Sequence, residues 1–178
     1  MKYDLIIGID PGKGGGISTL YEGVAKAFKM PYSHQEMKDF FKYLNGVSEN
    51  SICFLEKVQL RPDDMQGGKA FQIQKMLNHF QQLRTMLFVS EIKYVMVHPR
   101  TWQKSLNLLS IKNESKNDRK NRYKLSAKNR FKMLKVTLKN CDALLLLSYG
   151  FFILKTEPEK VENTLRISRD NNLFDNSI

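Results

Sequence analysis

Along the first hundred residues, short apolar runs alternate with stretches whose apolar positions recur at helical spacing. Residues 3–9 form an apolar run that predicts a central strand, and the run ends at the bare carboxylate of Asp10. Gly16–Tyr21 and Val24–Met30 flank the turn residues Glu22 and Gly23, which predicts the second and third strands of an antiparallel meander. Met37, Phe40, Phe41 and Leu44 then fall at i, i+3, i+4 and i+7, one face of a helix, and Ser33 with Glu36 makes a capping box at its start. Residues 51–59 predict a fourth strand, with Cys53 and Leu55 on one face and Phe54 and Glu56 on the other. A polar loop over 60–69 leads into a helix over 70–88 that carries Met76, Phe80, Leu83 and Leu87 on one face. Residues 92–99 predict a fifth strand, stopped by Pro99.

The texture changes after residue 100. RTWQKSLNLL predicts a short helix. IKNESKNDRKNRYK, from Ile111, has few apolar residues before Tyr123 and reads as a loop-like or disordered stretch in the absence of a ligand. Ala143–Leu154 is the most apolar run; it falls about eight residues short of the roughly 20 needed to span a bilayer and predicts a buried core helix. The polar residues 155–178 read as a frayed helix and a tail. Hairpins first and helical crossovers later imply an α/β fold, a mixed sheet with helices on its faces, in one domain over 1–155 followed by a polar C-terminal tail over 156–178.

Charge narrows the partner. The chain has 29 Lys and Arg against 18 Asp and Glu, a net charge of +11 in 178 residues. Residues 112–139 alone hold eleven basic residues against Glu114 and Asp118, a net +9. Such an excess suits a polyanion, nucleic acid first and an acidic membrane surface second, while plain solubility is the structural alternative. Cys53 and Cys141 form no CxxC motif and fit packed thiols in a reducing cytosol. The N-terminal apolar stretch is short and carries Asp4 and Asp10, unlike a secretory signal, so a cytoplasmic location is expected.

Three carboxylates stand at the edges of core elements. Asp10 ends the first strand, and five of the ten glycines lie between residues 8 and 16 just around it. Such a turn admits close backbone approach by a phosphate-bearing ligand, or it is simply a tight hairpin. Glu56 ends the fourth strand, as a metal ligand or as a rim residue beside Lys57. Asp142 opens the apolar helix, where Asn140 is a candidate N-cap and an acid complements the helix dipole without any further role. Brought together, the three would suit Mg²⁺ or Mn²⁺, which prefer hard oxygen ligands.

GIDPGKGGGIS, FLEKVQ, VHPRTWQK and NCDALLLLSYG occur in an order and spacing that resembles the RuvC-like Holliday junction resolvases, in particular the variant of bacteriophages and large DNA viruses. The resemblance covers about residues 4–150. It implies an RNase H-like fold, a homodimer and Mg²⁺-dependent paired nicks across a four-way DNA junction. It also implies that Asp10, Glu56 and Asp142 are the catalytic metal-binding acids. The sequence departs from the family where a fourth acid, or a His, usually stands three residues before the last Asp: here the position is Lys139. With a helix beginning near residue 139, Lys139 would share a face with Asp142, either as a fixed positive charge near a phosphate or at the expense of a second metal site.

The basic residues expected to hold DNA are Lys13, Lys69, Lys104, Lys112, Lys116, Arg119, Lys120, Arg122 and Lys124. Gln66–Lys69 lie just past Glu56, within reach of a junction centre. Trp102 reads as packed and His98 as a strand-end residue. Two other readings stand beside the nuclease: a catalytically weak relative that only binds branched DNA, and an actin-like or sugar-kinase ATPase. The ATPase would need a second matching lobe that 178 residues do not provide.

Overall fold

The structure, a computed structural model, describes residues 2–58 and 70–165. Five strands, β1 (Leu5–Asp10), β2 (Gly16–Tyr21), β3 (Val24–Lys29), β4 (Ser51–Glu56) and β5 (Lys93–Val97), form one sheet in the order β3-β2-β1-β4-β5. β1, β2 and β3 run antiparallel as a meander, whereas β4 and β5 are parallel to β1. Parallel neighbours need crossovers. Helix α1 (His34–Val47) supplies the one into β4, and α2 (Ala70–Val89) the one into β5.

Strand alternation sorts the core into two layers. Leu5, Ile7, Ile9, Cys53 and Leu55 pack under α1 and α2, against Met37, Phe41, Leu44, Phe80, Leu83 and Leu87. Ile6, Ile52 and Phe54 face the other way, against α5 (Cys141–Thr156), whose Leu144–Leu147 are fully buried. Sitting at the centre of this layer explains why α5 is apolar nearly all round. It comes unusually close to β1: a Cβ on Gly8 would lie 2.6 Å from Ala143 O and 2.7 Å from Leu147 N. Ser18 Oγ fastens the contact by donating to Ala143 O at 2.7 Å.

The Ser33–Glu36 capping box forms as expected. Three expectations change. The polar stretch after Ile111 is helical: α4 spans Lys116–Arg130, capped by Ser115, whose Oγ accepts from Asp118 N. Its few apolar residues suffice because Tyr123 and Ala127 sit four apart on the side that packs on α5, and the Tyr123 hydroxyl donates to Leu108 O. On α2, Ile73 rather than Met76 joins the buried face. Residues 158–165, in the stretch expected as a frayed helix and a tail, form a helix that is packed rather than frayed, with Val161 and Leu165 buried in the α5 layer and Glu162 bound to Lys2 and the Tyr3 hydroxyl. The loop 60–69 and the end of the tail, 166–178, lie outside the described residues.

Candidate active site

The parallel register of β1 and β4 pairs Ile9 with Leu55, so Asp10 and Glu56 are the next residues at the carboxyl ends of neighbouring strands. Alternation gives Asp10 the face of Gly8 and Glu56 the face of Phe54, which is the α5 side. Asp142, in the first turn of α5, comes to the same end of the sheet because Gly8 lets the helix settle onto β1. All three acids line one cleft, with Lys57, Arg100, Arg119 and Lys120 as its cationic groups.

Each acid is held. Trp102, fully buried on α3 (Pro99–Ser105), donates its indole N–H to Glu56 Oε2 at 2.7 Å. Lys120 Nζ reaches across from α4 to Asp142 Oδ2 at 2.5 Å. The Cys141 sulfur lies 3.2 Å from Asp142 Oδ1; its thiol is pushed up to about 12 by burial and by the Asp142 charge, so it stays protonated and donates. The turn after Asp10 is pinned by Gly12 N–H donating to His79 Nδ1 at 3.3 Å.

Burial, reinforced by the charges of Glu56 and Asp142, pushes Asp10 well above the usual carboxylate range, while Lys120 pulls the other way. Burial lifts Glu56 to about 7; the Trp102 N–H and Lys120 oppose the shift and Asp142 adds to it. For Lys120, burial opposes the charge, but the Asp142 and Asp10 carboxylates outweigh it and hold the ammonium above the ordinary lysine range. The cleft therefore brings three carboxylates together where burial and their mutual repulsion oppose ionisation, although four cationic groups line it too. This donor chemistry fits a hard divalent cation, which carboxylate oxygens prefer and which relieves their repulsion. As the side chains are placed, with Lys120 on Asp142, no group of three or more His, Cys, Asp or Glu among the described residues is arranged to hold an ion.

The fold has known counterparts. It is similar to RuvC of Thermus thermophilus. Against one solved structure of that protein the TM-score is 0.54 at 14% identity, over 85% of this chain and 95% of the other. Against "T. thermophilus RuvC in complex with Holliday junction substrate" the TM-score is 0.55 at 13% identity, over 87% and 97% of the two chains. No family model and no curated protein matches the sequence. At this identity the likeness to RuvC is one of fold: a mixed five-stranded sheet flanked by helices.

On this RuvC-like frame the basic residues separate. Arg119 and Lys120 line the acid cleft. Arg122 is committed elsewhere, paired through both carboxylate oxygens with Glu114 and donating to Leu109 O. Lys104, Lys112 and Lys116 are exposed and Lys124 is half-buried, none of them lining the cleft. Lys69 lies outside the described residues. Lys139 does not join Asp142. Helix α5 starts at Cys141, so Lys139 sits in the preceding turn and, with Lys13, lines a second groove. Asn140 takes the cap position, but its side chain accepts from Thr137 N and donates to Lys135 O instead of capping α5. Trp102 is packed, as its sequence context predicts, and His98 caps α3 by accepting from Arg100 N. Sequence reasoning missed Arg100, although it follows β5 at the same sheet edge as the acids, and Trp102 as the partner of Glu56. The Lys120–Asp142 pair joins residues 22 apart and leaves no periodic trace.

Proposed function

We propose that the protein is a divalent-metal-dependent endonuclease that resolves four-way DNA junctions, of the phage or large-virus type its motifs resemble, acting in the host cytosol. The observation that carries this reading is the single cleft shared by Asp10, Glu56 and Asp142 on a RuvC-like sheet, rimmed by Lys57, Arg100, Arg119 and Lys120. Asp10, Glu56 and Asp142 would hold Mg²⁺, with Mn²⁺ as a substitute. Bound there, a divalent cation supplies activation of water and charge neutralisation at the leaving oxygen of a phosphodiester. The chain's own part is to position. Trp102 fixes the Glu56 carboxylate, Cys141 fixes one oxygen of Asp142, and Arg100 and Arg119 present charge to a backbone phosphate. Lys120, which pairs with Asp142 here, would be free to turn to a phosphate if the acids held a cation. A substrate with two-fold symmetry calls for two identical sites, and the exposed Phe71, Phe88 and Val89 of α2 offer apolar surface to a second copy.

The test is incubation with a synthetic four-way junction and Mg²⁺ or Mn²⁺. Paired symmetric nicks are expected, and Asp10→Asn should lower their rate by about a thousandfold or more while junction binding persists. Comparable cutting of linear duplex would point to a less selective nuclease. A second reading, a branched-DNA-binding protein without turnover, draws on the Lys120–Asp142 pair and on Lys139 standing apart from the acids. Tight, salt-sensitive junction binding with no nicking in either metal would select it.

A further inference from the structure

The glycine turn after Asp10 has a second cleft on its other side. Lys13, Lys29, Lys135 and Lys139 surround a floor built from Ala27, Phe28 and Met30, and none of the residues lining it is acidic. The groove encloses about 690 Å³. Tyr32 stands at its edge with half its surface exposed, 51%, and the Lys13 ammonium lies 5.8 Å from the ring centroid. The backbone beneath the ring is fixed, since Tyr32 N–H donates to Glu36 Oε2 at 2.8 Å, and that same carboxylate is turned to the Ser33 N–H as well. The groove wall is kept close by Gly16, where a Cβ would lie 3.2 Å from Lys139 O and from Phe28 O.

We propose that this groove binds an unpaired DNA strand, with phosphates on Lys135 and Lys139 and a base stacked on Tyr32. Four lysines with no acid among the described residues that line the groove favour a polyanion. The apolar floor and the exposed ring decide between its forms. A duplex turns its phosphates outward and hides its base faces, so it would leave Phe28, Met30 and Tyr32 unused. A single strand offers charge and stacking surface together. Lys139, which has no place among the acids, thereby acquires a ligand. The proposal goes beyond the nuclease reading and rests on it only for the choice of DNA over RNA.

Binding is measured by fluorescence anisotropy in EDTA, with a labelled oligothymidine of roughly 12 nucleotides and the same strand made duplex. The single strand should bind at least about fivefold more tightly than the duplex, and Tyr32→Ala should weaken it by about fivefold to a hundredfold, with Tyr32→Phe retaining it. Lys135→Ala combined with Lys139→Ala should lower the slope of log K against log salt by about 1.4. Tyr32 is exposed and the lysines are on the surface, so thermal melting of these variants should match wild type. Unchanged binding by Tyr32→Ala, equal affinity for duplex, or an oligouridine bound more tightly than the oligothymidine would each overturn the proposal. Because EDTA suspends cleavage, this outcome is read independently of whether the acid cleft cuts.

Discussion

The acid cleft and the lysine groove share one short turn, 10–15, yet they hold charge in opposite ways. In the cleft, three carboxylates are drawn together by strand register and by a helix seated on Gly8, and Lys120 and Trp102 restrain the repulsion. In the groove, four lysines have no acid among them and rest on an apolar floor. Burying carboxylates beside one another costs stability, and the raised Asp10 and Glu56 carboxyls record that cost, through burial first and mutual repulsion second. Spreading lysines round an open groove costs little, because their ammonium groups stay in water. In the cleft, then, folding works against ionisation, a conflict that a divalent cation would relieve, whereas the groove stands open to a ligand.

The contrast breaks most severely at Gly8. Gly8→Ala would set a methyl group against the backbone of α5 at Ala143 and Leu147, and should destabilise the protein by on the order of 3 kcal/mol. Chemical denaturation reads the loss. If the variant folds, Asp142 is lifted from Asp10 and cleavage falls, while oligothymidine binding in the groove survives.

A comparable effect follows from pH. Glu56 rises from 4.5 to about 7 on folding, so its contribution is fully present below pH 4.5 and is lost as pH rises through about 7. The metal-free protein should therefore lose up to about 3 kcal/mol from this group between pH 4.5 and 8. Glu56→Gln should flatten that part of the profile, and Mg²⁺ should restore stability to the wild type but not to the variant. Denaturation curves at several pH values, with and without Mg²⁺, check both statements.

These particulars also show how far the sequence alone could reach. Asp10 and Glu56 were legible because each closes an apolar run, and a carboxylate at a strand's end needs no three-dimensional information to be noticed. The meander, both crossover helices and the two-sided sorting of β4 follow from period and turn residues. Helix α4 was hidden because its apolar side is only Tyr123 and Ala127, too sparse to register as a period; its better signal was the Ser115–Asp118 cap. Lys139 was misplaced by the start of one helix, a boundary that pattern reading sets only to within a few residues. Lys120 and Arg122 look alike in the sequence, and only packing shows that one meets Asp142 and the other Glu114.

The smallest effect sharpens the comparison most finely. Lys120→Ala removes the ammonium that competes for Asp142 Oδ2. The metal-free protein should lose about 1 kcal/mol, since the pair is partly exposed, and Mn²⁺ affinity should rise a few-fold. Unchanged Mn²⁺ affinity would show that Lys120 does not stand in for the cation.

The account turns on Asp10, Glu56 and Asp142 forming one divalent-cation site. Calorimetric titration of Mn²⁺ at about pH 8, well above the Glu56 value, measures this directly. Wild type should bind, and Asp10→Asn, Glu56→Gln and Asp142→Asn should each weaken binding by about tenfold or more. Binding indifferent to all three substitutions, or no binding by the wild type, would contradict it.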